Sequence, residues 1–407
     1  MCPTPTVDGK RRLDAGFSSA HDFSLVLGGP LYQLLQATRL SGEALDLLWR
    51  RILFISLLCW LPLFVLSALR GRVLGDPSSV PFLLDVEVHI RFLVAVPLLV
   101  GAELLVHQRM RMVLQQFLTR NLIGDDTRPR FDAAVASAMR LRNSVLAEVL
   151  LIAFVYGVGV LIVWRQYMAL NTATWFTAAD GPGGRLSLAG LWYGYVSMPV
   201  FQFLLLRWYF RVSIWARLLW QVSRIDLKLM PTHPDRVGGL AFISGTAYAF
   251  VPLALAHGAV LAGFIANRIF HLGATLPQFK MEIGAVVAFV ECLVFGPLLV
   301  FVVQLSRAKR TGLREYGALA ARYVREFDDK WVRGKATTED ELLGSGDIQS
   351  LADLGNSFEV VRSMRLAPIT RDPIIQVGVA ALLPLAPLLL TMMPLEELLR
   401  RLFGIIF

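Results

Sequence analysis

Long unbroken apolar runs constrain this chain more than any other feature. The stretch ILFISLLCWLPLFVLSAL, residues 52–69, carries no charge at all. A helix crossing a bilayer needs ~20 mostly apolar residues, within a range of about 17–25. Hydrocarbon offers no partner to a backbone N–H or C=O, so a run of this kind spans as a helix. Ile52–Leu69 is followed by six similar runs: Leu83–Val106, Val145–Trp164, Leu191–Leu206, Leu240–Ala266, Ile283–Leu305 and Ile374–Met393. The fourth is short and continues as a helix through Trp208, Trp215 and Trp220. Composition agrees: 55% of the 407 residues are hydrophobic and 17% charged, against about 25% charged in an ordinary soluble domain. The expected architecture is all-α, a polytopic membrane bundle of seven spans in three hairpins plus one, with amphipathic cytoplasmic helices.

Charge placement sets an expected orientation. The connections 107–143, 207–237 and 306–372 carry seven, six and twelve Lys/Arg, whereas 70–82, 165–190 and 267–282 carry two each. Positive residues stay on the cytoplasmic side. The N-terminus is therefore expected inside and the C-terminus, with Arg400 and Arg401, on the periplasmic side. This regularity accounts for the net charge of +9 without nucleic acid. The organisation expected is a cytoplasmic segment 1–47, a six-helix region 48–305, a helical cytoplasmic segment 306–372, and a seventh span with its tail, 373–407. Residues 1–47 are polar or amphipathic, so the first apolar run is the expected insertion signal. Within 306–372, Leu313, Tyr316, Ala320, Tyr323, Val324, Phe327 and Trp331 form one apolar helical stripe, and Arg322–Glu326 and Arg325–Asp329 are i,i+4 pairs. A second helix is expected from Ile348 to Met364 with Asp347 as its N-cap.

Pro97, Pro199 and Pro297 lie in the second, fourth and sixth spans, 102 and 98 residues apart, and a basic residue stands twelve positions after each: Arg109, Arg211 and Lys309. This spacing predicts three hairpins on one plan, each even span kinked at its proline. Polar residues inside spans are expensive and tend to be functional. Glu103, His107, Gln202 and Gln304 fall on one side of the even spans. His257 and Glu291 fall at matching depth in the fifth and sixth, and are expected to form a hydrogen-bonded pair. These six are candidates for a transport path; the alternative is polar cross-links that fix helix packing.

The run LMPTHPDRVGGLAFI, residues 229–243, reads as a joint where the chain enters a span. Pro231 ends the preceding helix, Thr232 or His233 caps the next, Pro234 suits its first turn, and Asp235 complements its dipole. Arg236 marks the cytoplasmic side, and Gly238 with Gly239 allow close packing. His-Pro-Asp is also the tripeptide of chaperone J-domains, but a membrane span follows it here. The alternative for His233, Asp235 and Arg236 is an anion site at a helix N-terminus.

No zincin, phosphate-loop, dinucleotide or nucleophile-elbow motif occurs. The three cysteines, Cys2, Cys59 and Cys292, lack metal-ligand spacing. Asp85 and His89 are spaced for two ligands on one helix face, but a charge cluster with Arg91 explains them better, and neither a metal nor a cofactor is expected. HPDRVGGLAF, LGSGDIQSLADLGNSFEVVRSMR and ALLPLAPLLLTMMPLEELL resemble segments of a bacterial family of multi-span inner-membrane proteins of unassigned activity. The likeness covers about the C-terminal 180 residues, and it implies a bacterial inner-membrane setting with no activity carried over. The expected partners are the lipid bilayer and either a second copy or a cytoplasmic protein. Two functions are expected to compete, a channel or transporter running between Pro-kinked helices and a non-catalytic sensor or assembly subunit. A membrane-embedded enzyme ranks third.

Overall fold

The computed structural model describes residues 23–26, 28–29, 33, 47–74, 80–164, 175–176, 186–334 and 345–392. The expected C-terminal side, carried by the tail from 393 onward, lies outside them, as does most of the expected cytoplasmic segment 1–47. Every regular element among the described residues is a helix, and no extended strand occurs among them. The elements are α1 Leu48–Leu69, α2 Val86–Thr119, α3 Arg128–Arg142, α4 Val145–Phe154 with its continuation Val155–Trp164, α5 Leu188–Val222, α6 Ala241–Leu272, α7 Leu276–Val332, α8 Gly346–Arg362 and α9 Arg371–Thr391. Six of them, α1, α2, α5, α6, α7 and α9, are long and apolar enough to cross a membrane. The third expected span, Val145–Trp164, passes that test only together with α3, to which it is bent by 47°.

Helix α6 is the most enclosed span and α1 the least. Small residues explain why α6 sits at the centre. Ala254, Gly258 and Ala262 recur every fourth residue and are all buried, which lets backbones approach closely. At Gly258 an added side-chain carbon would overlap the Ala381 carbonyl of α9, and at Gly263 it would lie 3.1 Å from the Glu87 backbone of α2.

The prolines sit at changes of helical pitch. A π-helical turn, Arg91–Ala95, ends two residues before Pro97, and another, Tyr193–Ser197, ends two residues before Pro199. Pro297 instead opens a tight 3-10 segment, Gly296–Phe301, so the third repeat departs from the first two. A proline removes the N–H that would serve the carbonyl four residues back. Neighbouring helices serve two of these carbonyls directly. The Tyr156 hydroxyl donates to Tyr195 O at 3.1 Å, four residues before Pro199. Trp192 Nε1 donates to Leu58 O at 3.2 Å, four residues before Pro62.

The chain does not break after the sixth expected span. Helix α7 runs 57 residues from Leu276 to Val332, and its last third packs on α8. Tyr323 donates to Asp347 O at 3.1 Å, and Phe358 lies against Gly317. The cap of α8 is Ser345, whose hydroxyl accepts from Asp347 N, and not Asp347 as expected. The Asp347 carboxylate instead receives Lys330 and Trp331. Arg322–Glu326 forms at 3.5 Å, whereas Asp329 is met by Arg333 at 3.9 Å in place of Arg325.

Candidate functional site

The densest polar construction is a buried charge cluster. Helix α1 contributes Arg51, α2 Glu103, α4 Glu148 in its first turn, and α5 Arg207 and Arg211. The two α5 arginines are four apart and so share a helix face. Each of the five is at least 93% buried. Glu103 is paired with Arg51, accepts from Arg211 Nη1 at 2.8 Å, and has Arg207 at 3.6 Å. The other edge of Arg207 lies 3.5 Å from Glu148. Arg211 also stacks over Trp208 at 4.9 Å, and Trp208 is held by a 2.8 Å bond to Leu99 O. Buried charges persist only when paired, and here two carboxylates hold three guanidinium groups at one level of the bundle.

A segment near the N-terminus closes this cluster. Phe23, Ser24, Leu25 and Val26 are buried. Arg142, at the end of α3, donates from Nη1 to Ser24 O at 2.5 Å, and the Ser24 hydroxyl meets His107 Nδ1 at 2.9 Å. Burial and the charge of neighbouring Arg211 both hold the Arg142 guanidinium below its usual pKa. Gly28 and Gly29 have φ of +140° and +89°, and an added carbon at Gly28 would fall 2.7 Å from the Arg142 guanidinium. Charge counting treats Arg142, Arg207 and Arg211 as topology markers, with Arg211 also marking the proline repeat, and it passes over Arg51. The signal that could have found them is the i,i+4 pair Arg207/Arg211 inside a helix with aromatic and apolar neighbours.

A second site lies between α5 and α6. A cavity of about 270 Å³ is bounded by Leu99, Phe201, Leu205, Ala256, Val260 and Phe264, with Glu87 and Arg91 toward one end and His257 also in its wall. Arg91 is paired with Glu87 and donates to the Tyr193 hydroxyl at 2.7 Å. His257 meets the Tyr209 hydroxyl through Nε2 at 2.8 Å and Leu253 O through Nδ1 at 2.7 Å. Phe289 of α7 packs edge-on against Tyr209 and lies 5.8 Å from the His257 ring.

That packing overturns the expected His257–Glu291 pair. Both residues are fifteen positions from the facing helix ends, Leu272 and Leu276, so their depths do match. Yet both ring nitrogens of His257 are engaged elsewhere. Residues 289 and 291 point to nearly opposite faces of a helix at 100° per residue. Phe289 takes the face toward His257, and Glu291 lies against Gly378 of α9, its Oε2 without a partner.

The other path candidates have separate neighbours. Glu103 belongs to the charge cluster and His107 to Ser24. The Gln202 amide oxygen presses on Gly159 of α4. Gln304 donates from Nε2 to Ile225 O, in the connection after α5. At the other end of the molecule Asp85 receives Asn267 at 2.7 Å, Trp175 at 2.9 Å and the Val88 N–H at 3.2 Å. His89 accepts from Trp60 at 2.9 Å. Arg91 therefore pairs with Glu87 and lies within the field of Asp85, as the expected charge cluster requires, while His89 faces Trp60 instead. No group of three metal-ligating side chains occurs among the described residues.

The joint at 229–243 is built differently from its expected form. Helix α5 ends at Val222, nine residues before Pro231, and α6 starts at Ala241, beyond Pro234. Neither Thr232 nor His233 caps it. Leu240 stands at the helix start without a side-chain cap, and Asp235 instead gathers the entry turn and the first helical N–H, accepting from Val237 N at 2.9 Å, Gly239 N at 3.1 Å and Ala241 N at 3.1 Å. Burial pushes the Asp235 carboxyl up, but these three donors and His233, 2.9 Å away, bring it below the usual carboxylate range. Arg236, Gly238 and Gly239 all have positive φ, so the glycines serve a turn. Arg365 fastens the turn, donating to Asp235 O at 3.1 Å and from its N–H to Arg236 O at 2.7 Å. With every Asp235 oxygen engaged, the stretch works as a structural node.

Six helices long and apolar enough to cross a bilayer place the chain among helical membrane-embedded proteins. No protein-family model, curated protein or solved structure matches the chain.

Proposed function

We propose that the protein is a seven-span transporter of the bacterial inner membrane, passing a small solute or ion between its proline-interrupted helices. The observation that supports this reading is the 270 Å³ cavity among α2, α5, α6 and α7. It lies between the three helices that carry Pro97, Pro199 and Pro297, and it has Glu87, Arg91 and His257 in an otherwise apolar wall. Intramembrane ionisable groups facing a cavity are the usual mark of a substrate or proton pathway. In this reading α4 is the seventh span, and α3, the 223–240 connection, the end of α7 and α8 lie in the cytoplasm, as their basic residues favour. The test is flux in reconstituted vesicles, screening monovalent ions, protons and small amphipathic solutes. Ala256→Phe, which fills the cavity, is expected to cut flux at least tenfold with an unchanged melting temperature. Flux equal to that of empty vesicles for every solute class, or full flux through Ala256→Phe, defeats the reading.

A second reading, a sensor or assembly subunit, is favoured by the projecting α7–α8 pair. Leu319, Val324, Val332 and Ile348 are exposed there and would meet a second copy or a cytoplasmic protein. Val324→Asp is then expected to dissociate the assembly in light scattering while leaving flux untouched.

A further inference from the structure

Arg207 is 6% exposed, yet it donates no hydrogen bond among the described residues. Its two nearest carboxylate oxygens, on Glu103 and Glu148, stand at 3.6 and 3.5 Å. A buried guanidinium carries five N–H donors, and leaving them unmade is costly. Arg207 lines a small void of about 10 Å³ together with Arg142, Arg211, Glu148, Leu25 and Gly28. A void of that size holds one water at most. One side of it is formed by Leu25 and Gly28 of the N-terminal stretch, which meets Arg142 through backbone. Ser24 O accepts from Arg142, and Gly28 lies against the Arg142 fork with no room for a side chain.

We propose that Arg142, Arg207 and Arg211 form a binding site for a phosphate-type oxyanion, and that residues 23–26 with Gly28 and Gly29 are a built-in plug occupying it. The planar guanidinium fork matches a tetrahedral oxyanion through paired N–H donors. The Ser24 carbonyl takes the place on Arg142 that an anion oxygen would take. Arg207 keeps only ion-pair contacts of 3.6 and 3.5 Å to Glu103 and Glu148, and a carbonyl on Arg142 does not reach it. Glu148 at the edge of the void keeps the closed state from being overwhelmingly cationic. Binding requires the plug to withdraw, because a phosphate is several times larger than the closed void. Withdrawal exposes Phe23, Leu25 and Val26, so ligand binding and movement of the N-terminal segment are coupled. The same chemistry is offered by free phosphate and by the head group of an anionic phospholipid. The proposal does not depend on transport.

The experiment uses the full chain in detergent, carrying Leu25→Cys in a Cys2→Ser, Cys292→Ser background. The reaction rate with a membrane-impermeant maleimide is followed in phosphate and in chloride at equal ionic strength. A fivefold or greater rise in phosphate is expected. The same measurement in nanodiscs of phosphatidylglycerol against phosphatidylcholine separates the sources. A rise with phosphatidylglycerol alone assigns the site to a lipid head group. Arg142→Gln, a change at the rim of the cluster, is expected to abolish the rise. Gly28→Val, which crowds the plug off its seat, is expected to tighten phosphate binding at least tenfold in calorimetry. No rise with either phosphate source, in protein that melts like the wild type, overturns the proposal. So does a rise that Arg142→Gln leaves intact.

Discussion

Asp235 shows what one side chain does in this molecule. Its two oxygens accept three backbone N–H groups, those of Val237 and Gly239 in the entry turn and that of Ala241 at the first position of α6. Asp235→Asn keeps one acceptor oxygen and puts an NH₂ where Ala241 N–H points. The expected loss is about 1–3 kcal/mol of stability, read as a lower melting temperature in detergent. The pH dependence has a fixed sign. The folded-state pKa is depressed, so the contribution is present above the ordinary carboxylate range and disappears as pH falls through the lower folded value. A pH-independent difference between wild type and variant would remove the carboxylate from this role. The residue was legible in the sequence as a helix-entry acid, but the helix start was not. Two prolines drew the expected boundary to Pro231 and Pro234. The turn with positive φ at Arg236, Gly238 and Gly239 delays the helix to Ala241. At Gly239, with φ of +98°, Gly239→Leu is expected to cost about 1–3 kcal/mol from backbone strain, measured by the same melt.

At the scale of elements, the apolar runs were readable because length and hydropathy do not depend on which helix packs where. The faces were not readable. Glycines at 159, 258, 263 and 312 are indistinguishable in the sequence from Gly245, around which an added carbon meets nothing. Gly258→Val is therefore expected to separate α6 from α9, lowering the melting temperature by several degrees, while Gly245→Ala leaves it within one degree. Equal melting of the two variants would refute the close α6–α9 contact. Depth was also readable, by counting along consecutive spans. It placed His257 and Glu291 level, but a two-residue offset between Phe289 and Glu291 decides which face meets which neighbour. No count along a helix resolves that without knowing the partner.

At the scale of the whole molecule, three segments meet the 223–240 connection: the loop after α2, helix α7 and the stretch after α8. Lys228 N–H donates to Leu122 O at 2.9 Å, Pro231 packs on Gly312, and Lys309 donates to Met364 O at 2.8 Å. Cysteines placed singly at Arg130, Lys228 and Arg322 are expected to label only when a membrane-impermeant reagent reaches the cytoplasmic face. Labelling of any one from outside intact cells would break the proposed orientation. The charge alternation made this meeting of connections legible, whereas the buried arginines hid within the same counts.

Helix α7 has a mechanical consequence. Pro231 abuts it at Gly312, and twenty residues beyond, at Val332, the rod is still unbroken. At 1.5 Å per residue this free arm is about 30 Å long. A tilt of about 10° around Gly312 would sweep its tip through about 5 Å, with α8 riding on it. The helix is thus a lever pivoted near Gly312, with its longer arm, back to Leu276, among the apolar helices and its shorter arm carrying α8, so any rocking of the bundle is passed on to α8 rather than absorbed.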